Sequence, residues 1–159
     1  MASEKTSSIA VVMGSDSDMD VMQSCVETLS KFGIKPIVRI ISAHRTPQVA
    51  AEFADNAAKN GIKVIIAAAG MAAHLPGVLA SWTTVPVIGV PLSGSELKGV
   101  DALYSIVQMP AGIPVACMAI GSAGAKNAAY LAAEILGLKY DGIKKAYEKY
   151  RSELQGDNK

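Results

Sequence analysis

Five short apolar runs, SIAVVM (8–13), IKPIVRII (34–41), VIIAAA (64–69), VPVIGV (85–90) and PVACMAI (114–120), alternate along this chain with segments of helical periodicity. The first helical pattern begins near Asp18 and is closed by Gly33. The second has Thr46 as its N-cap and Pro47 at its first position, and runs to Gly61. A short helix is expected near Val78–Trp82, another over Asp101–Gln108 and a long one over Ala123–Leu136. Strands that alternate with helices form a parallel sheet with right-handed crossovers. The pattern therefore predicts an α/β, doubly wound, flavodoxin-like three-layer sandwich with a five-stranded parallel sheet. No linker interrupts it, so residues 1–159 read as one domain, with a C-terminal helix and polar tail from about residue 139.

At 159 residues such a domain buries roughly 70% of its unfolded surface, enough for a sizeable core. Half the residues are hydrophobic, 18% are charged and the net charge is +1, so there is no basic field to attract nucleic acid or an anionic membrane. No apolar run reaches the ~20 residues of a membrane helix, and MASEKTSS lacks the apolar core of a signal peptide. A cytoplasmic protein is expected. Cys25 and Cys117 show no zinc-ligand spacing and read as small buried hydrophobes, so no metal site is expected.

Ligands of doubly wound sheets bind outside the carboxyl ends of the strands. Three loops qualify here: GSDSD (14–18), SAHRTP (42–47) and AGMAAHLPG (69–77). They bring Ser15, Ser17, Asp18, Ser42, His44, Arg45 and His74, which include both histidines of the chain, to one edge. His44 is the candidate proton carrier, because an imidazole exchanges protons near neutral pH. Arg45 offers a planar fork to a phosphate or carboxylate, and Ser42 adds a hydroxyl. His74 lies between small residues and Leu75-Pro76-Gly77 and reads as a packed structural histidine. Ala69, Gly70, Met71, Ala72 and Ala73 instead form a small, poorly hydrated pocket wall.

Competing motifs fail. In DSDMD, Asp16, Asp18 and Asp20 alternate as in a calcium loop, but Val21 stands where the sharp turn needs glycine. Neither GxGxxG nor GxxxxGK[ST] occurs, so dinucleotides and nucleoside triphosphates lose their motifs. A helix start ringed by hydroxyls, with Asp16 or Asp18 as its cap, suits a single phosphate.

The segments VVMGSDSD, SAHRTP, AAHLPG, GVP and YSIVQMPAGIPVACMAIGSAGAKNA closely resemble, in order and spacing, the motifs of the bacterial-type N5-carboxyaminoimidazole ribonucleotide mutases, the PurE proteins of purine biosynthesis. The resemblance spans residues 8–137. It implies an enzyme that binds a small-molecule ribonucleotide and moves its carboxylate from the exocyclic nitrogen to ring carbon C4, with no metal, biotin or ATP as cofactor. By position, Ser15 and Asp18 match substrate-binding residues, Ser42 and Arg45 match groups around the phosphate, and His44 matches the catalytic histidine. Gly70, Met71, Ala72 and Ala73 match the segment near the imidazole and the migrating carboxylate. Ala68 and Met71 stand where the family usually has glycine, which bears on the width of the pocket wall.

Two rivals are weighed. Animal-type relatives carboxylate the ribonucleotide directly with CO2 and typically carry SAHKGP without AAHLPG, whereas this chain has the mutase form of both. A non-enzymatic nucleotide-binding module would not need His44. The helix AGAKNAAYLAAEILGL carries only Lys126 and Glu134 as charges, so burial on more than one face is expected. That predicts a homo-oligomer, which the resemblance makes an octamer.

Overall fold

The computed structural model describes residues 8–156. The first seven residues of the segment judged not to be a signal peptide, and the last three of the polar tail, lie outside them. The elements follow the expected alternation: β1 (Ile9–Met13), α1 (Met19–Lys31), β2 (Ile37–Ile40), α2 (Pro47–Asn56), β3 (Val64–Gly70), α3 (Leu75–Trp82), β4 (Val87–Leu92), α4 (Val100–Val107), β5 (Ala116–Cys117), α5 (Ser122–Gly137) and α6 (Asp141–Gly156). A single 3₁₀ turn, Asp16–Asp18, joins β1 to α1.

All strands are parallel, in the order β2-β1-β3-β4-β5. Because side chains alternate across a strand, each strand feeds two cores. Val11, Met13, Ile66 and Val90 are buried with α1 and α5, whereas Ala10, Val12, Ile65 and Ala67 are buried with α2, α3 and α4. The apolar runs of β1, β3 and β4 are continuous rather than alternating because both sheet faces are covered. Chain order reverses between β1 and β3, so a crevice opens at their carboxyl ends.

Several expectations are corrected. The fifth strand, expected over residues 114–120, keeps a regular ladder only at Ala116–Cys117. Met118 still donates to the Gly89 carbonyl at 2.9 Å, but the next bond to β4 runs from Gly121 to the Pro91 carbonyl. Pro91 has no N–H to give at that register position, so the ladder breaks there. The second helix stops at Asn56, five residues before Gly61, and α3 starts earlier than expected, at Leu75. Ala68 is fully buried in the α1 and α5 core, so its departure from glycine does not bear on the pocket wall.

The apolar face of α5 is also covered from within the chain. Ala125, Ala128, Ala129, Ala132 and Ala133 are buried, and their small side chains let α1 and α6 approach closely. An added Cβ at Gly124 would collide with the backbone carbonyl of Ala119, so glycine is required where α5 meets that segment. Along α6, Tyr147 and Tyr150 meet Tyr130 of α5 and Phe32; Tyr130 and Tyr150 stack with ring centroids 4.8 Å apart. Burial is the main reason the Tyr130 phenol is pushed up to about 12. The need to cover α5 therefore does not by itself call for a second subunit.

Of the two cysteines, Cys25 is buried in the α1 core, and burial pushes its thiol up to about 12. Cys117, on the edge strand, is only partly buried, which corrects the expectation for that residue. No described helix is long and apolar enough to cross a membrane.

Candidate active site

A cleft of about 460 Å³ lies at the carboxyl edge of the sheet. Ser15, Ser17 and Asp18 enter it from the β1–α1 loop; Ser42, His44 and Arg45 from the β2–α2 loop; Gly70 from the end of β3; and Met71, Ala72 and His74 from the β3–α3 loop. Ser15, Asp18, Ser42, His44, Arg45, Gly70, Met71 and Ala72, singled out in the sequence, all line this one cleft, whereas Ala73, expected in its wall, is fully buried and does not line it. Leu92, the last residue of β4, and Gly94, just beyond it, also line the wall. The sequence reading passed over them because the end of that strand carries little polar chemistry.

Each loop is held by its own short-range bonds. The Ser15 N–H donates to the Asp18 carboxylate at 3.0 Å, and the Ser15 and Ser17 hydroxyls are 3.1 Å apart. Asp18, the third residue of the 3₁₀ turn, thus bonds back to the N-cap Ser15 while facing the cleft, and although it stands at the N-cap of α1 its side chain makes no capping bond to that helix. Burial raises the Asp18 carboxyl above its usual range, and the N–H groups of Ser15 and Gly14 offset part of that effect.

In the second loop, the Ser42 hydroxyl accepts the Arg45 N–H at 3.1 Å, while the Thr46 hydroxyl donates to the Ser42 carbonyl at 3.0 Å. The Ser42 N–H returns a bond to that hydroxyl at 3.2 Å. Thr46 does stand at the N-cap of α2 ahead of Pro47, but its hydroxyl closes the loop instead of capping the helix. Its backbone, at φ −132° and ψ 57°, stays out of the helical region that a following proline disfavours. With the backbone pinned in this way, the exposed Arg45 guanidinium makes no ion pair among the described residues.

The third loop is tight, with Ala73 donating to the Met71 carbonyl at 2.9 Å and His74 to the Ala72 carbonyl at 2.8 Å. Met71 has φ 56°, a left-handed conformation that favours glycine, and the residue is 62% exposed. Contrary to the packed role read from sequence, His74 is exposed. Its Nδ1 lies 2.7 Å from His44 Nε2, with the rings edge to face at 75°.

The strand order and the cleft at the reversal point define a flavodoxin-like α/β protein with its site at the β1/β3 crevice. Within that class, the AIR carboxylase family model matches residues 8–157, and the chain belongs to that family. A protein named N5-carboxyaminoimidazole ribonucleotide mutase from Saccharolobus solfataricus is 52% identical over 149 residues, covering 94% of this chain and 93% of its own length. One of the same name from Haemophilus influenzae is 61% identical over 132 residues, covering 83% of this chain and 80% of its own. The crystal structure of Treponema denticola PurE superposes with a TM-score of 0.84 at 30% identity, covering 94% of this chain and 92% of that one.

Proposed function

We propose that this chain is an N5-carboxyaminoimidazole ribonucleotide mutase of purine biosynthesis, an isomerase that moves a carboxylate from the exocyclic nitrogen of its substrate to ring carbon C4. One observation carries the site assignment: a histidine, an arginine and a carboxylate line a single cleft against a wall of small residues. His44 gives a proton to the carbamate nitrogen, the N–C bond breaks and CO2 is released. C4 attacks the CO2, and His44 then takes the C4 proton, so the protons balance over the cycle. Arg45 and Ser42 hold the phosphate, Ser15 and Asp18 the ribose end, and Gly70, Met71 and Ala72 enclose the base and the CO2. Much of the rate comes from holding CO2 and the ring in contact.

His44→Asn tests the assignment. General acid–base catalysis is worth ~10²- to 10⁴-fold, and the variant should lose at least that much turnover while still binding ribonucleotide. Near-normal turnover removes His44 from the mechanism. Transfer within the site is tested with substrate carrying carbon-13 in its carbamate. Early product keeps most of the label in excess unlabelled bicarbonate. Fully unlabelled first product, with efficient use of the uncarboxylated ribonucleotide and bicarbonate, points to direct carboxylation instead.

The proposal includes a cytoplasmic homo-oligomer, an octamer by family resemblance. Its support is the exposed apolar stripe of α4, where Val100, Tyr104 and Val107 share one helix face.

A further inference from the structure

At 2.7 Å, the gap between His44 Nε2 and His74 Nδ1 holds one hydrogen. With none, two lone pairs face each other, and with two, two N–H groups collide. We propose that His74 is a positioning residue that keeps a proton on His44 Nε2 and so makes His44 Nδ1 the nitrogen that gives and takes the proton in catalysis. This rests on His44 being the proton carrier proposed above.

The rest of the geometry supports this direction. His44 makes no other hydrogen bond among the described residues, so His74 alone orients its ring. His74 is itself held on both sides: its N–H bonds to the Ala72 carbonyl at 2.8 Å, and its carbonyl accepts the Val78 N–H at 2.9 Å. Buried Ala73 and Leu75 flank it in the chain. If His44 donates across the gap, both neutral rings carry their proton on Nε2, the tautomer that imidazole side chains prefer. The reverse arrangement places both rings in the less favoured form and occupies His44 Nδ1.

The proton count then follows. The neutral pair holds the shared proton and the His74 Nε2 proton. The acid form adds one on His44 Nδ1, with the charge spread over two rings because the shared proton can sit on either side of the gap. Transfer to the carbamate nitrogen returns the pair to neutral, and the C4 proton restores the acid form. The other charged groups facing the cleft are Asp18, from the β1–α1 loop, and Arg45, from the β2–α2 loop; α3 and the end of β4 present none.

These are the only two histidines in the chain, so nitrogen-15 NMR of histidine-labelled protein reads the pair without ambiguity. The neutral protein should show His44 protonated on Nε2 and bare on Nδ1, and His74 the same. His74→Leu removes the acceptor, whereas His74→Asn places an amide oxygen near the former Nδ1. The leucine variant should lose turnover by roughly tenfold or more, part of the ~10²- to 10⁴-fold available to acid–base catalysis. Its pH profile should shift and its ribonucleotide binding stay nearly unchanged, while asparagine restores most of the rate and the profile. A wild-type His44 protonated on Nδ1 overturns the inference. So does a leucine variant as active as wild type, or equal losses in both variants with the pH profile unmoved. If His44→Asn is inactive and any of these three results holds, this inference alone fails; if His44→Asn stays active, the reading beneath it fails.

Discussion

The Asp18 carboxylate accepts the Ser15 N–H at 3.0 Å from a position at the cleft wall, so one side chain both closes the β1–α1 turn and faces the ligand space. Its carboxyl is raised above the unfolded value of 3.8, chiefly by burial. A folded value above the unfolded one means that the native state binds more protons in that window. The contribution to stability is therefore complete below 3.8 and is lost as pH rises through the folded value. Asp18→Asn keeps an acceptor for Ser15 and removes the titration. Thermal melts from acid to neutral pH should show the variant gaining on wild type as pH rises above 3.8. A difference that stays flat or falls with pH means burial does not govern this carboxyl.

Arg45 has its backbone fixed by Ser42 and its guanidinium without an ion pair among the described residues, so it is available to a ligand anion. Charged hydrogen bonds are worth about 1.5–3 kcal/mol, so Arg45→Ala should weaken ribonucleotide binding roughly ten- to hundredfold and leave the melting temperature unchanged. The dephosphorylated nucleoside should bind wild type poorly and lose little more in the variant. Calorimetric titration with both ligands decides this, because equal losses rule out a phosphate clamp.

Met71, at φ 56° and mostly exposed, carries backbone strain with little packing to offset it. The left-handed region costs a non-glycine residue ~1–2 kcal/mol, and glycine returns about 0.5–1 kcal/mol of that through its freer unfolded chain. Met71→Gly should therefore raise the urea midpoint slightly, and Met71→Val, β-branched, should lower it. If the Met71 side chain narrows the CO2 space, the glycine variant will also keep less carbamate label while still turning over. A valine variant as stable as wild type speaks against strain at this position.

Tyr104 sits between Val100 and Val107 on the exposed face of α4. In an oligomer that uses this face, Tyr104→Asp places a charge in the contact and should shift sedimentation toward smaller species, with little loss of helical circular dichroism. A stable, active wild-type monomer at micromolar concentration ends the assembly proposal, and an unshifted variant moves the contact elsewhere.

The alternation of strands and helices was legible in the chain because periodicity and caps are local. Pro47, Gly33 and the apolar runs act within a few residues of themselves, and Gly33 takes its closing turn at φ 71°. The three loops were legible for the same reason: a parallel sheet places the carboxyl ends of its strands at one edge whatever their order. The order β2-β1-β3-β4-β5, which puts the first and third loops beside the crevice, came only from long-range pairing. Four details also depended on contacts between distant residues: the missing N–H of Pro91 that shortens β5, the face on which Ala68 lies, the cover of α6 over α5, and the meeting of His44 with His74 thirty residues on. No local pattern encodes such contacts, because a side chain's partner is set by which strands become neighbours, and that is decided by the packing of the whole sheet.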